Sequence, residues 1–167
     1  MSNKFRIIMS DFEIKNLKFS KKPISIPADY RPMYKIAQIV MILSITCTGN
    51  KSSLLKLHLL SWALKNDKNK DEVLELIKNN YVEEMTVWGI EPALNRALLF
   101  CVAEEICKIE GGKYLLTEKG KEFFKLIKKN DVFHEELEFL NFVGKRKITD
   151  NRIESISNKW SLFNVEN

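Results

Sequence analysis

The stretch "GGKYLLTEKGKEFF", residues 111–124, constrains the fold more than any other part of the chain. Short extended runs flank the glycine pair, "CKIE" before it and "KYLL" after it. A two-residue link between antiparallel strands needs positive φ at its centre, which glycine adopts without steric cost. Gly111 and Gly112 therefore predict a β-hairpin. Thr117 stands where a helix N-cap belongs, and the following helix is predicted to run through Asn130.

Helices precede the hairpin. Pro32 opens one that runs to Cys47 and stops near Gly49. Its run "IAQIVMILSITC", 36–47, is too short for a bilayer, which needs about 20 residues, so it reads as a buried central helix. Ser52 or Ser53 caps a second helix ending at Lys65, and "DEVLELIKNN" forms a third with Val73, Leu74 and Ile77 on its inner side. "EEMTVWGIEP" is a connector with a short extended piece around Val87, and Pro92 restarts a helix over 92–106. Past the hairpin helix, "DVFHEELEFLNFV" and "TDNRIESISNKW" are two more helices, joined by the basic link "GKRK". Residues 1–30 alternate loosely around Pro23 and Pro27 and read as an extended basic arm with one or two short strands. The expected fold is mainly α: an N-terminal extended arm (1–30), a winged helix-turn-helix core with a β-hairpin wing (31–130), and a C-terminal helical extension (131–167).

Chemistry is sparse. Cys47, Cys101 and Cys107 lie in apolar runs without the paired spacing of a zinc site. "TGNKSS" at 48–53 has Asn50 and Ile45 where a phosphate-binding loop requires glycine, and reads as a helix start. His134 opens "HEELE" without the second histidine of a zinc-protease helix, and His58 sits in a leucine-rich helix. No catalytic constellation, metal site or cofactor is expected, so the chain reads as non-enzymatic. Asp11 and Glu13 interrupt the start too early for a signal peptide, which points to the cytoplasm.

The formal charge is +5, distributed in blocks. Residues 111–130 carry six basic and two acidic side chains, and 131–143 carry four acids without a basic partner. Blocks of alternating sign suit a surface that meets several partners. A DNA reader offers Arg, Lys, Asn or Gln to base edges from the helix before the wing. Here that helix has Asn95 and Arg96, also Glu104 and Glu105, and is otherwise almost wholly apolar, which makes a poor reader. Lys121, Lys125 and Lys128 recur on one face of the helix after the wing, with Lys129 beside them, while Phe123, Phe124 and Ile127 turn inward. These lysines, with Lys113 and with Lys145, Arg146 and Lys147, are candidates for DNA phosphates, whose contacts fix register without reading sequence. Asp131, Glu135, Glu136 and Glu138 interrupt any continuous DNA track and are candidates for a protein interface.

Together, "YKIAQIVMILSI", "SLLKLHLLSWALK", "EPALNRALLFCVAEEI" and "KYLLTEKGKEFFKLI" resemble the middle component of ABC three-component systems, of which the Lamassu antiphage systems are examples. The resemblance covers about residues 30–130. It implies a winged-helix accessory subunit without enzymatic activity, linking an SMC-like or Rad50-like ATPase to an effector, commonly a nuclease, in a bacterial antiphage or anti-plasmid defence complex. It also implies contact with double-stranded DNA through that complex and no membrane. The alternative is an autonomous winged-helix transcriptional regulator, which would need a dimer and a base-reading helix.

Overall fold

The computed structural model describes residues 8–9, 12–13, 31–81, 89–129 and 131–163. Strands β1 (Ile8–Met9) and β2 (Phe12–Glu13) pair antiparallel, and the rest of the expected arm lies outside the described residues, as does the extended piece foreseen around Val87. The body is mainly helical with one small antiparallel sheet. Among the described residues no helix is long and apolar enough to cross a membrane.

Helix α1 (Pro32–Thr46) is the axis of the core. Ile39, Val40, Met41, Ile42 and Leu43 are five consecutive residues with no exposure, so the helix is wrapped on every side. Each such side chain contributes about 1.5–3 kcal/mol relative to leaving it in water. The hydroxyl of Ser53 accepts from the Lys56 N–H to cap α2 (Leu54–Ala63), and the side chain of Asn66 caps α3 (Asp67–Lys78). Helix α4 (Pro92–Ala103) packs on α1 and ends with Glu105 at φ 57°, where Ile106 N–H reaches the Cys101 carbonyl. This is the left-handed helix terminus that glycine normally supplies.

The hairpin forms as the glycines require. Strands β4 (Cys107–Glu110) and β5 (Lys113–Leu116) pair from Cys107↔Leu116 to Glu110↔Lys113, with Gly111 and Gly112 at φ 57° and 71°. A third strand was not foreseen. "TGNKSS" leads into a helix as expected, but ahead of the cap it makes a 3-10 turn over Thr48–Asn50 and then β3 (Lys51–Ser52), which pairs with β5. Of the two expected caps Ser53 serves, because Ser52 and Lys51 are extended along the edge of β5. The sheet order is β3-β5-β4.

Helix α5 (Glu118–Lys128) follows β5 with Thr117 as its cap, its hydroxyl accepting from Gly120 N–H. Helix α6 (His134–Lys147) packs against α1 and is kinked at Gly144, whose φ 57° and ψ −168° lie in a region reserved for glycine. α7 spans Asp150–Phe163. Phe139, Leu140, Val143, Ile148, Ile153 and Ile156 from these last elements belong to the same buried cluster as α1 and α2. The buried Lys56 joins them, donating to the carbonyls of Thr46 and Ile148 at 2.7 Å each.

Candidate protein-docking site

Helix α4 is apolar on opposite sides. Leu94, Ala97, Leu98 and Cys101 are buried against the core. Pro92, Arg96, Leu99, Phe100 and Ala103 are all exposed, and their helical spacing aligns them in one stripe. Leu99 is 71% exposed, Phe100 50%, and Ile90 just before the helix 77%. Isolated exposed apolar side chains are ordinary, and it is their alignment in one stripe that makes this face a candidate interaction surface.

A cleft of about 710 Å³ opens beside this stripe, between α2 and α4. Trp62, Ile90, Pro92 and Phe100 contribute its apolar walls, and Lys65 and Arg96 stand at its margin. Its polar floor is Lys35 and Glu91. The Lys35 ammonium, fully buried, lies 3.1 Å from Glu91 Oε1 and donates to Ser61 Oγ at 3.1 Å. Ser61 in turn donates to Glu91 Oε2 at 3.1 Å, and Lys65 Nζ is 3.5 Å from Glu91 Oε1.

The same residue is tied from behind. Glu91 N–H donates to His58 Nδ1 at 3.2 Å, which leaves the other ring nitrogen as the donor to Asn95 Oδ1 at 3.0 Å. His58 is thereby held as the neutral imidazole, and burial lowers its pKa below the ordinary 6.5 against the raising effect of Asn95. Among the described residues Glu91 Oε1 accepts no hydrogen bond, but Oε2 accepts from Lys35 and Ser61 and the backbone N–H is held by His58, and buried polar contacts of this kind fix geometry. Here they lock the start of α4 to α1 and α2, and so set where the Leu99–Phe100 stripe stands. Neither histidine belongs to a group of three candidate metal ligands among the described residues.

The candidate phosphate contacts are largely committed elsewhere. Lys113 Nζ lies 2.5 Å from Asp150, whose other oxygen accepts from the backbone and hydroxyl of Ser53, joining β5, α2 and α7. Burial raises the pKa of Asp150, but Lys113 and Ser53 outweigh it and hold the carboxyl below its usual 3.8. Along α5, Lys121 pairs with Glu118 and Lys125 with Glu122, both at 2.6 Å, and Lys128 lies 5.7 Å from the Phe124 ring. The hydrogen bond from Lys121 draws Glu118 below the ordinary carboxylate range, and that from Lys125 to Glu122 raises the lysine. Lys147 folds over its own Phe142 ring at 3.5 Å and donates to the Phe142 carbonyl. Lys129, Lys145 and Arg146 are exposed and carry no ion pair among the described residues.

The acidic candidates do not converge either. Glu136 accepts from the Tyr34 hydroxyl at 2.7 Å, Glu135 lies 3.9 Å from Lys70, and Glu138 is exposed. The side chain of Asp131 lies outside the described residues. Sequence reasoning missed the cleft floor, since Lys35 and Glu91 are far apart in the chain. It placed the protein-interface candidates on the acidic residues after α5 and noted of α4 only that it offers few base-reading groups. No family model matches the chain, and no curated protein or solved structure was found to be similar to it.

Proposed function

We propose that this chain is a non-enzymatic accessory subunit with a winged helix-turn-helix core, which binds a protein partner through the exposed face of α4. The order of elements supports the winged-helix reading: helix, short strand, helices, then a hairpin whose second strand lies between β3 and β4. The observation that carries the function is the stripe of Leu99 and Phe100. In a DNA reader that face holds donors for base edges, whereas here Arg96 is its single cation among apolar neighbours. Desolvating this face gains free energy against an apolar protein surface and gains little in a polar groove.

The partner proposed from the family resemblance is an SMC-like ATPase, with an effector, a nuclease by preference, completing a defence complex in the cytoplasm. Lys129, Lys145 and Arg146 are the cations best placed to touch DNA phosphates through that complex, because the other lysines of the set are paired internally or laid on rings. The autonomous regulator is supported less well, for want of a reading helix. The test is co-expression with the genes flanking its own. An SMC-like ATPase should be retained by the tagged chain and released by Leu99→Glu combined with Phe100→Ala, with the circular dichroism of the variant unchanged. Retention of the ATPase by that variant, or tight binding of the chain alone to one operator over random DNA, sinks the proposal.

A further inference from the structure

We propose that the cleft between α2 and α4 is an anchor pocket for a partner segment in which an apolar or aromatic side chain stands next to a carboxylate. This rests on the docking role of α4 and adds to it the chemistry of what is docked. The walls explain the first element. Trp62, Ile90, Pro92 and Phe100 give an apolar lining to an open cleft of about 710 Å³, ample for one large side chain and its neighbours.

Arg96 explains the second. Of the cations at the cleft, Lys35 and Lys65 both reach the Glu91 carboxylate. Arg96 is exposed and enters no hydrogen bond or ion pair among the described residues. A guanidinium presents its donors in a planar fork that matches a carboxylate in two parallel hydrogen bonds. Standing four residues before Phe100, it lies on the same side of α4 as the apolar wall. A basic segment would meet Arg96 with like charge. A nucleic-acid backbone would find one uncommitted cation beside a mainly apolar hollow, where phosphate binding needs several. The buried Lys35, Ser61 and His58 contacts hold the floor in place before anything binds, which reduces the ordering required on association.

The experiment is selection of random peptides displayed on phage against the whole chain, followed by affinity measurement of the enriched peptides by fluorescence anisotropy. The expected consensus is Asp or Glu beside Trp, Phe or Leu. Arg96→Glu should weaken those peptides by about tenfold to a hundredfold, the range of a hydrogen bond to a charged group. Replacing the peptide's acid by Lys should restore binding to Arg96→Glu alone. Because Arg96 is exposed, the substitution leaves the fold intact, as circular dichroism would verify. No enrichment, a consensus without an acid, or indifference to Arg96→Glu overturns the assignment. So do peptides matching residues 83–88, which would make the occupant the chain itself. If the co-expressed ATPase is released by the Leu99 and Phe100 double variant but not by Arg96→Glu, the docking face stands and the anchor chemistry fails.

Discussion

Gly120→Ala should destabilise the protein well beyond what a change at a helix start normally does. A Cβ built on Gly120 would lie 2.4 Å from the Ile106 carbonyl oxygen and 2.5 Å from Leu116 Cδ1. The leucine could rotate away, but the carbonyl could not easily do so. It already accepts from Thr117 N–H at 3.0 Å and from the Thr117 hydroxyl at 2.9 Å, so its displacement disturbs the end of β5 and the cap of α5 together. The alternative is to push α5 outward, which breaks the Gly120 N–H bond to Thr117.

Overpacking of this kind costs about 1–3 kcal/mol, and a lost cap adds about 1 kcal/mol. Alanine returns about 0.5–1 kcal/mol through its helix propensity. The net expectation is a loss of about 1–3 kcal/mol, read as a lower urea midpoint at unchanged slope. Gly89→Ala is the control, since nothing lies within 4 Å of the place its Cβ would take. There the smaller entropy of the unfolded chain should leave stability unchanged or raise it by up to about 1 kcal/mol. If Gly120→Ala unfolds at the same midpoint as the parent chain, the close approach of α5 to the Ile106 carbonyl is not what makes this position glycine.

Three other outcomes follow from the same contacts. Glu105→Gly should stabilise the chain by about 1 kcal/mol, because Glu105 holds φ 57° at the end of α4, and a thermal melt showing no gain would contradict the strain argument. His58 has a folded pKa below its unfolded 6.5, so the unfolded state binds more protons in that interval, and stability is full above pH 6.5 and falls as pH drops from there toward the folded value. Urea midpoints from pH 7 to 5 should show this fall, and His58→Gln should flatten it; Asp150, whose folded pKa is depressed, loses its contribution only below about 3.8. If the proposed complex holds DNA, Lys145→Ala and Arg146→Ala should each lower the salt slope by about one unit, while Lys113→Ala, which breaks the Asp150 contact, should chiefly lower the melting temperature.

What could be read from the sequence was local. The Gly111–Gly112 turn and the Thr117 cap each demand a residue type for a backbone reason, so they were legible without knowing what packs against them. The self-pairing of α5 was legible too, since Glu118 and Glu122 stand three residues before Lys121 and Lys125, but the lysine spacing taken alone hides it. Strand β3 was not legible, because two residues carry no periodicity and their extension depends on the edge of β5. The same holds for α4. Apart from Asn95 and Arg96 its sequence is apolar, and the packing of Leu94, Leu98 and Cys101 against the core decides that Leu99 and Phe100 are left facing water. The exposed face of α4 is thus defined by what the core does not take, and the Lys35–Glu91 contact beside it joins residues 56 positions apart. A helix that is apolar inward for folding and carries Leu99 and Phe100 outward has only a weak amphipathic pattern, and on the docking proposal that weakness is what binding a partner would require.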